Sequence, residues 1–95
     1  MSAYAIVRID IHDEENYARY VPLAGEAIRK YNGRFLVRGG DFTVREGEAR
    51  GRNVVIEFAD RAAAEAFYES PEYSKALEYA LPASTRDYII IDGAE

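Results

Sequence analysis

The chain has 95 residues, no cysteine, one histidine and a formal net charge of -5. Without thiols there is neither a disulfide framework nor a thiolate metal site, and His12 alone is too little for a conventional zinc site. The acidic balance and the lack of a basic cluster argue against nucleic acid as a partner, and the longest apolar runs are far short of a membrane span. Met1-Ser2-Ala3-Tyr4 enters a strand pattern with no basic region or cleavage motif, so a soluble cytoplasmic protein is the expectation. A hydrophobic fraction of 48% suits one packed domain over residues 1–95.

Ala3 to Ile11 alternates in two registers and reads as the first strand. Asp13-Glu14-Glu15 are acids placed to oppose a helix dipole, and they start the first helix rather than a calcium loop. Tyr17, Tyr20, Val21, Ala24, Ala27, Ile28 and Tyr31 come next at helical spacing. Pro22 should kink that helix or restart it, and Asn32-Gly33 should cap it. A second strand, Arg34 to Arg38, breaks at Gly39-Gly40, a pair that suggests a bulge or a close backbone approach. Asp41 to Arg52 reads as a polar extension leading to a third strand, Asn53 to Phe58. Asp60 caps a helix from Arg61 to Glu69. Ser70-Pro71-Glu72 then restarts a helix that should stop before Pro82. Ser84 and Thr85 are assigned to a turn, and the last strand to Tyr88–Ile91. The order β-α-β-β-α-β predicts a ferredoxin-like α+β fold: a four-stranded antiparallel sheet, helices on one face, the second helix broken.

Parity sorts each strand into two faces. Val7 and Ile9, Phe35 and Val37, Ile56 and Phe58, and Ile89 and Ile91 are expected beneath the helices. Tyr4, Arg8, Asp10, Leu36, Arg38, Val55, Glu57 and Tyr88 are expected on the open face, which is too polar for a core and too apolar for a wet surface. Arg38 and Glu57 lie on strands flanking the first, so they and Arg8 are within reach of a shared charge network. One reading is a pocket in which the arginines hold a carboxylate or enolate and Glu57 serves as base or acceptor. The other is a salt bridge that fixes dimer register, and it takes precedence because buried pairs serve register as readily as chemistry.

Tyrosine is abundant, with eight copies and no tryptophan. Tyr17, Tyr20 and Tyr31 are best read as core packing on the first helix. Tyr68, Ser70 and Tyr73 flank the helix break, where free N–H groups offer an anion site. His12 reads as a solvated loop residue, since no Ser or Cys nucleophile motif is present for it to serve.

The runs Tyr17-Ala18-Arg19-Tyr20, Gly33-Arg34-Phe35-Leu36-Val37-Arg38-Gly39-Gly40, Val54-Val55-Ile56-Glu57-Phe58 and Phe67-Tyr68-Glu69-Ser70-Pro71-Glu72-Tyr73, with the closing Gly93, resemble the domain-of-unknown-function 1330 family. They cover the chain nearly end to end. The resemblance implies a dimeric α/β barrel, in which the open sheet face turns toward its counterpart in a second subunit. Family members commonly carry an arginine late in the last helix, about where Tyr79-Ala80 stand here, so that contact is not expected of this chain. The family implies no activity.

Two functions are expected on these grounds. The first is a site for a small anionic or carbonyl compound between the charged sheet face and the first helix, with or without cofactor-independent catalysis. Its candidate residues are Arg8, Arg38 and Glu57, with Tyr17, Gly39, Gly40, Tyr68, Ser70 and Tyr73 around them. The second is a non-enzymatic homodimer module whose charged face serves association alone. Neither calls for a cofactor or a metal, and both predict a homodimer, because a bare, half-apolar sheet face is a liability for a monomer.

Overall fold

A computed structural model describes residues 1–95. Strand β1 covers Ala3–Ile11, helix α1 Glu14–Lys30, β2 Arg34–Arg38, β3 Arg52–Phe58, α2 Arg61–Tyr68, α3 Pro71–Ala83 and β4 Ser84–Asp92. The strands form one antiparallel sheet in the order β2-β3-β1-β4. This is the ferredoxin-like α+β arrangement, with the second helix in two pieces. None of the helices is long and apolar enough to cross a membrane.

The alternation of β1 sets the layers. Ala3, Ala5, Val7 and Ile9 are between 0% and 3% exposed, so this register lies beneath the helices. The two alanines leave room there for larger rings. Phe67 of α2 stacks on Phe58 of β3 at 5.3 Å and on Tyr73 of α3 at 4.5 Å between ring centroids. Each such buried ring removes a large apolar area from water, and the contacts between rings add about 0.5–1.5 kcal/mol each.

Helix α1 begins where Asp13 Oδ1 accepts the Asn16 amide at 3.1 Å, with Glu14 and Glu15 in the first turn. It ends in a Schellman closure: Asn32 takes φ 60°, and the Gly33 amide donates to the Ile28 carbonyl at 2.8 Å. Gly33 is required for space as well. A Cβ there would stand 2.8 Å from Phe58 and 2.9 Å from Ile28. Of the two outcomes expected at Pro22, a kink or a restart, the restart does not occur: the helix runs through it as one element of 17 residues. The loss is a single backbone bond, and the buried stripe on either side holds the turn.

Pro82 likewise fails to end α3, which continues to Ala83 and passes directly into β4. The Ala83 carbonyl accepts the His12 and Asp13 amides at 3.0 and 3.1 Å, and Ser84 Oγ donates to the Ala80 carbonyl at 2.6 Å. The end of the helix is thus tied to the start of α1. Ser84 and Thr85 are strand residues, not a turn.

Two strands differ in parity from the expectation. In β4 the pairs are Ile9 with Arg86, Val7 with Tyr88 and Ala5 with Ile90, while Ile6 faces Ile89 and Tyr4 faces Ile91. Cα partners share a face, so Arg86, Tyr88 and Ile90 lie beneath the helices. Ile89 and Ile91 are 52% and 46% exposed on the open side. In β2 the register slips between Phe35 and Val37. This bulge falls at Leu36, three residues before the glycine pair, and reverses the parity of the residues after it. Val37 therefore pairs Val55 on the open face, and Arg38 pairs Val54 on the helix-covered face.

Candidate functional site

The bulge separates Arg38 from the residues expected to accompany it. Glu57 stays on the open face, where Arg34 Nη2 donates to its Oε1 at 2.7 Å and the Tyr4 hydroxyl lies 3.5 Å from Oε2. Arg8 shares that face but stands four residues along β1 from the partner of Glu57, roughly 13 Å away. It neighbours Asp87 at 4.0 Å and the Glu48 carbonyl at 3.5 Å. Arg50 bridges Asp10 and Asp87 at 2.7 and 2.8 Å and holds both carboxyls below their ordinary range. For Asp10 the Gly51 amide is the larger cause, ahead of Arg50. No network joins Arg8, Arg38 and Glu57.

At the helix break, Ser70 occupies one of the amides that an anion would meet. Ser70 Oγ accepts the Tyr73 amide at 3.1 Å and donates to the Phe67 carbonyl at 2.7 Å, which satisfies the free amide at the start of α3. Tyr68 packs on Tyr88 at 4.8 Å beside a shallow outer groove. Gly39 adopts φ 70° against the Arg52 guanidinium, and Gly40 lies exposed beyond it.

What the fold does bring together lies under α1. A cavity of about 30 Å³ is enclosed by α1, α3 and the covered face of the sheet, room for about two water molecules. Tyr17 and Tyr20 of α1 and Tyr73 of α3 line it, with Phe35, Arg38 and Arg86 reaching in from the two edge strands. Aliphatic side chains of β1 and β3 form most of the rest. Of all its lining residues only Arg38 is exposed, so the cavity opens there. The Arg38 guanidinium stacks 4.2 Å over the Phe35 ring. This is a modest attraction that a stronger partner can replace.

Arg86 is the unusual member. Its Nη2 donates to the Tyr20 and Tyr73 hydroxyls at 3.2 and 3.1 Å, and those hydroxyls are 2.8 Å apart. Its guanidinium also lies 5.1 Å from the centre of the Tyr20 ring. Its Nε–H is buried without a partner, as is the Tyr88 hydroxyl two residues on. No carboxylate lies within ion-pair distance of Arg38, Arg52 or Arg86.

Burial works against the charge of Arg86, but the oxygens of Tyr20 and Tyr73 outweigh it and the guanidinium stays protonated. Burial pushes the Tyr17, Tyr20, Tyr73 and Tyr88 hydroxyls up, so all four keep their protons near neutrality. The site is a cation ringed by neutral phenols on apolar walls. It can hold an anion, or an oxygen on which negative charge develops. No group of three or more His, Asp or Glu side chains is placed to hold a metal ion.

Of the expected residues, Tyr17, Arg38 and Tyr73 meet at this cavity; Arg8, Gly39, Gly40, Glu57, Tyr68 and Ser70 do not. Arg86 is absent from the sequence expectation, and Tyr20 reads there as ordinary core. The signal available for Arg86 is a charge two residues from Tyr88 in the extended run that ends the chain.

Sheet order and helix placement define a ferredoxin-like protein with a small cavity between its first helix and its sheet. The sequence belongs to the family described as Domain of unknown function (DUF1330), matched over residues 2–94. No curated protein matches it significantly. Among solved structures it is similar to a protein of unknown function from Rhodopseudomonas palustris, at 15% identity and TM-score 0.78, covering 99% of this chain and 83% of that one. A dimeric ferredoxin-like protein of unknown function from Jannaschia sp. CCS1 matches at 10% identity and TM-score 0.77, covering 98% and 100%. SnoaB, a cofactor-independent oxygenase from Streptomyces nogalater, matches at 14% identity and TM-score 0.68, covering 99% and 94%. Likenesses at these identities show the fold.

Proposed function

We propose that this protein binds a small anionic or carbonyl compound in the cavity between α1 and the helix-covered face of the sheet, and that any reaction there proceeds without a cofactor. The observation that carries this reading is Arg86: a half-buried guanidinium whose Nε–H is buried and free, with two phenolic neighbours and no counter-ion. An unpaired buried charge lowers stability, and a ligand that supplies the missing carboxylate recovers the loss. The structural likeness to a cofactor-independent oxygenase supports the catalytic half by analogy alone.

The protein acts as a homodimer in this proposal. The molecule is a slab of 34 × 34 × 16 Å whose open face carries Val37, Ile89 and Ile91 among paired charges. A second copy covers such a face most simply, by isologous pairing. The paired charges there also favour the second reading, a dimer module with no ligand.

Thermal unfolding with millimolar benzoate and acetylacetone separates the two. The proposal expects stabilisation of the native protein by at least one of them, by about 1.4 kcal/mol at ten times its Kd, and none of the Arg86→Met variant. No stabilisation by either compound leaves the dimer module as the better account.

A further inference from the structure

Hydrogen-bond bookkeeping at Arg86 limits what its ligand is. Arg86 Nη2 uses its two protons on the Tyr20 and Tyr73 hydroxyls. Those hydroxyls share one proton across 2.8 Å, so the second phenolic proton has no acceptor between them. The Nε–H of Arg86 and the buried Tyr88 hydroxyl are unpartnered too. Each hydroxyl carries one donor and each guanidinium N–H is donor only. The unused donors therefore include one on a charged guanidinium, and the only acceptors facing them are the lone pairs of neutral phenol oxygens.

The charged and titratable groups facing Arg86 are Tyr17 and Tyr20 from α1, Tyr73 from α3 and Tyr88 from its own strand. Arg38 lines the same cavity, and Arg52 stands beside Ile9 on the covered face. Glu65 of α2 borders the outer groove at Tyr68 and Tyr88 and does not line the cavity. No Asp, Glu or His is among the lining residues. A general base must stand within hydrogen-bond reach of the proton it takes, and none does.

We infer that the ligand enters already ionised, as a carboxylate or an acidic enolate on a compact apolar body, and that no residue of the cavity deprotonates it. This narrows the proposed function and rests on it. The anion accepts from Arg86 Nε–H and the free phenolic proton. Because the cavity as it stands has room for only about two waters, a ligand of benzoate's size requires Arg38, the exposed lining residue, to leave the Phe35 ring, and its apolar body then occupies that opening. Neutral carbonyl compounds, which need a base to become anions, are poor ligands.

The test is calorimetric titration of the native protein with benzoate and with benzamide, its neutral isostere. Measurements run from about pH 5.5 to 8, where benzoate stays ionised and no cavity residue changes charge. Benzoate is expected to bind with an affinity constant within about twofold over that range. Its heat should be the same in buffers of different ionisation enthalpy, since no proton is exchanged. Benzamide should bind at least about tenfold more weakly, and Arg86→Met should remove that preference. Equal binding of the two probes, or uptake of about one proton per benzoate, overturns the inference while leaving the cavity as a binding site. Binding of neither probe overturns both.

Discussion

The two faces of one sheet treat arginine in opposite ways. On the open face Arg8, Arg34 and Arg50 each lie against a carboxylate. On the helix-covered face Arg38, Arg52 and Arg86 have none. Water screens the open charges cheaply, and the exposed Arg38 with them, whereas the buried Nε–H of Arg86 lies where pairing matters most. The covered arginines thus carry charge that no carboxylate of the chain pairs. The open ones are paired within the chain.

Exchanging Arg86 for methionine sharpens that contrast most. Anion binding should fall by about 100-fold, equivalent to about 2.7 kcal/mol, the loss of a charge-assisted hydrogen bond. The empty protein should be as stable as before or gain about 1 kcal/mol, since an apolar chain replaces an unpaired buried charge. Calorimetry and thermal melts read the two effects. A large loss of stability would mean that Arg86 is structural.

The open face is broken by Ile89→Asp together with Ile91→Asp, which puts unpaired charge where a second copy is proposed to sit. Light scattering after size exclusion should change from dimer to monomer at micromolar concentration, with benzoate binding retained. A variant that stays dimeric places the interface elsewhere.

Tyr20→Phe removes one hydroxyl and keeps the ring. Anion affinity should fall by about tenfold, and stability should drop by about 1 kcal/mol, as for one buried hydrogen bond. Unchanged affinity would exclude that hydroxyl from the site.

The smallest effect is at Arg50. Asp10 and Asp87 have carboxyls depressed below their ordinary value of 3.8. Their pairing therefore stabilises fully above that value and is lost as pH falls through the depressed values. Arg50→Gln should flatten this acid limb of the stability curve and leave stability near pH 7 little changed. Melting curves from about pH 2 to 7 check it, and an unaltered acid limb would mean that the pairs contribute nothing.

The fold was legible because β1 alternates strictly and because Asp13, Asn32-Gly33, Asp60 and Ser70 mark helix ends by their chemistry. The site was less so. Ile89-Ile90-Ile91 has no alternation, so only pairing with β1 decides which of the three faces inward, and with it the side of Arg86. On β2 one bulged residue reversed Arg38, and nothing in Phe35-Leu36-Val37 announces a bulge there. Pro22 and Pro82 sit in helices that tertiary contacts carry past them, a context that local propensity does not contain. Tyr17 and Tyr73 stand out in the sequence by their polar tips; that those tips converge depends on how α1 lies against α3.

The claim that the covered face, not the open one, receives a ligand can be read from the arginine Nε–H resonances of ¹⁵N-labelled protein during a benzoate titration. The account predicts a shift of Arg86, with Arg38 moving alongside it, while Arg8 and Arg34 stay in place. Shifts confined to Arg8 or Arg34, or none at any arginine, would contradict it.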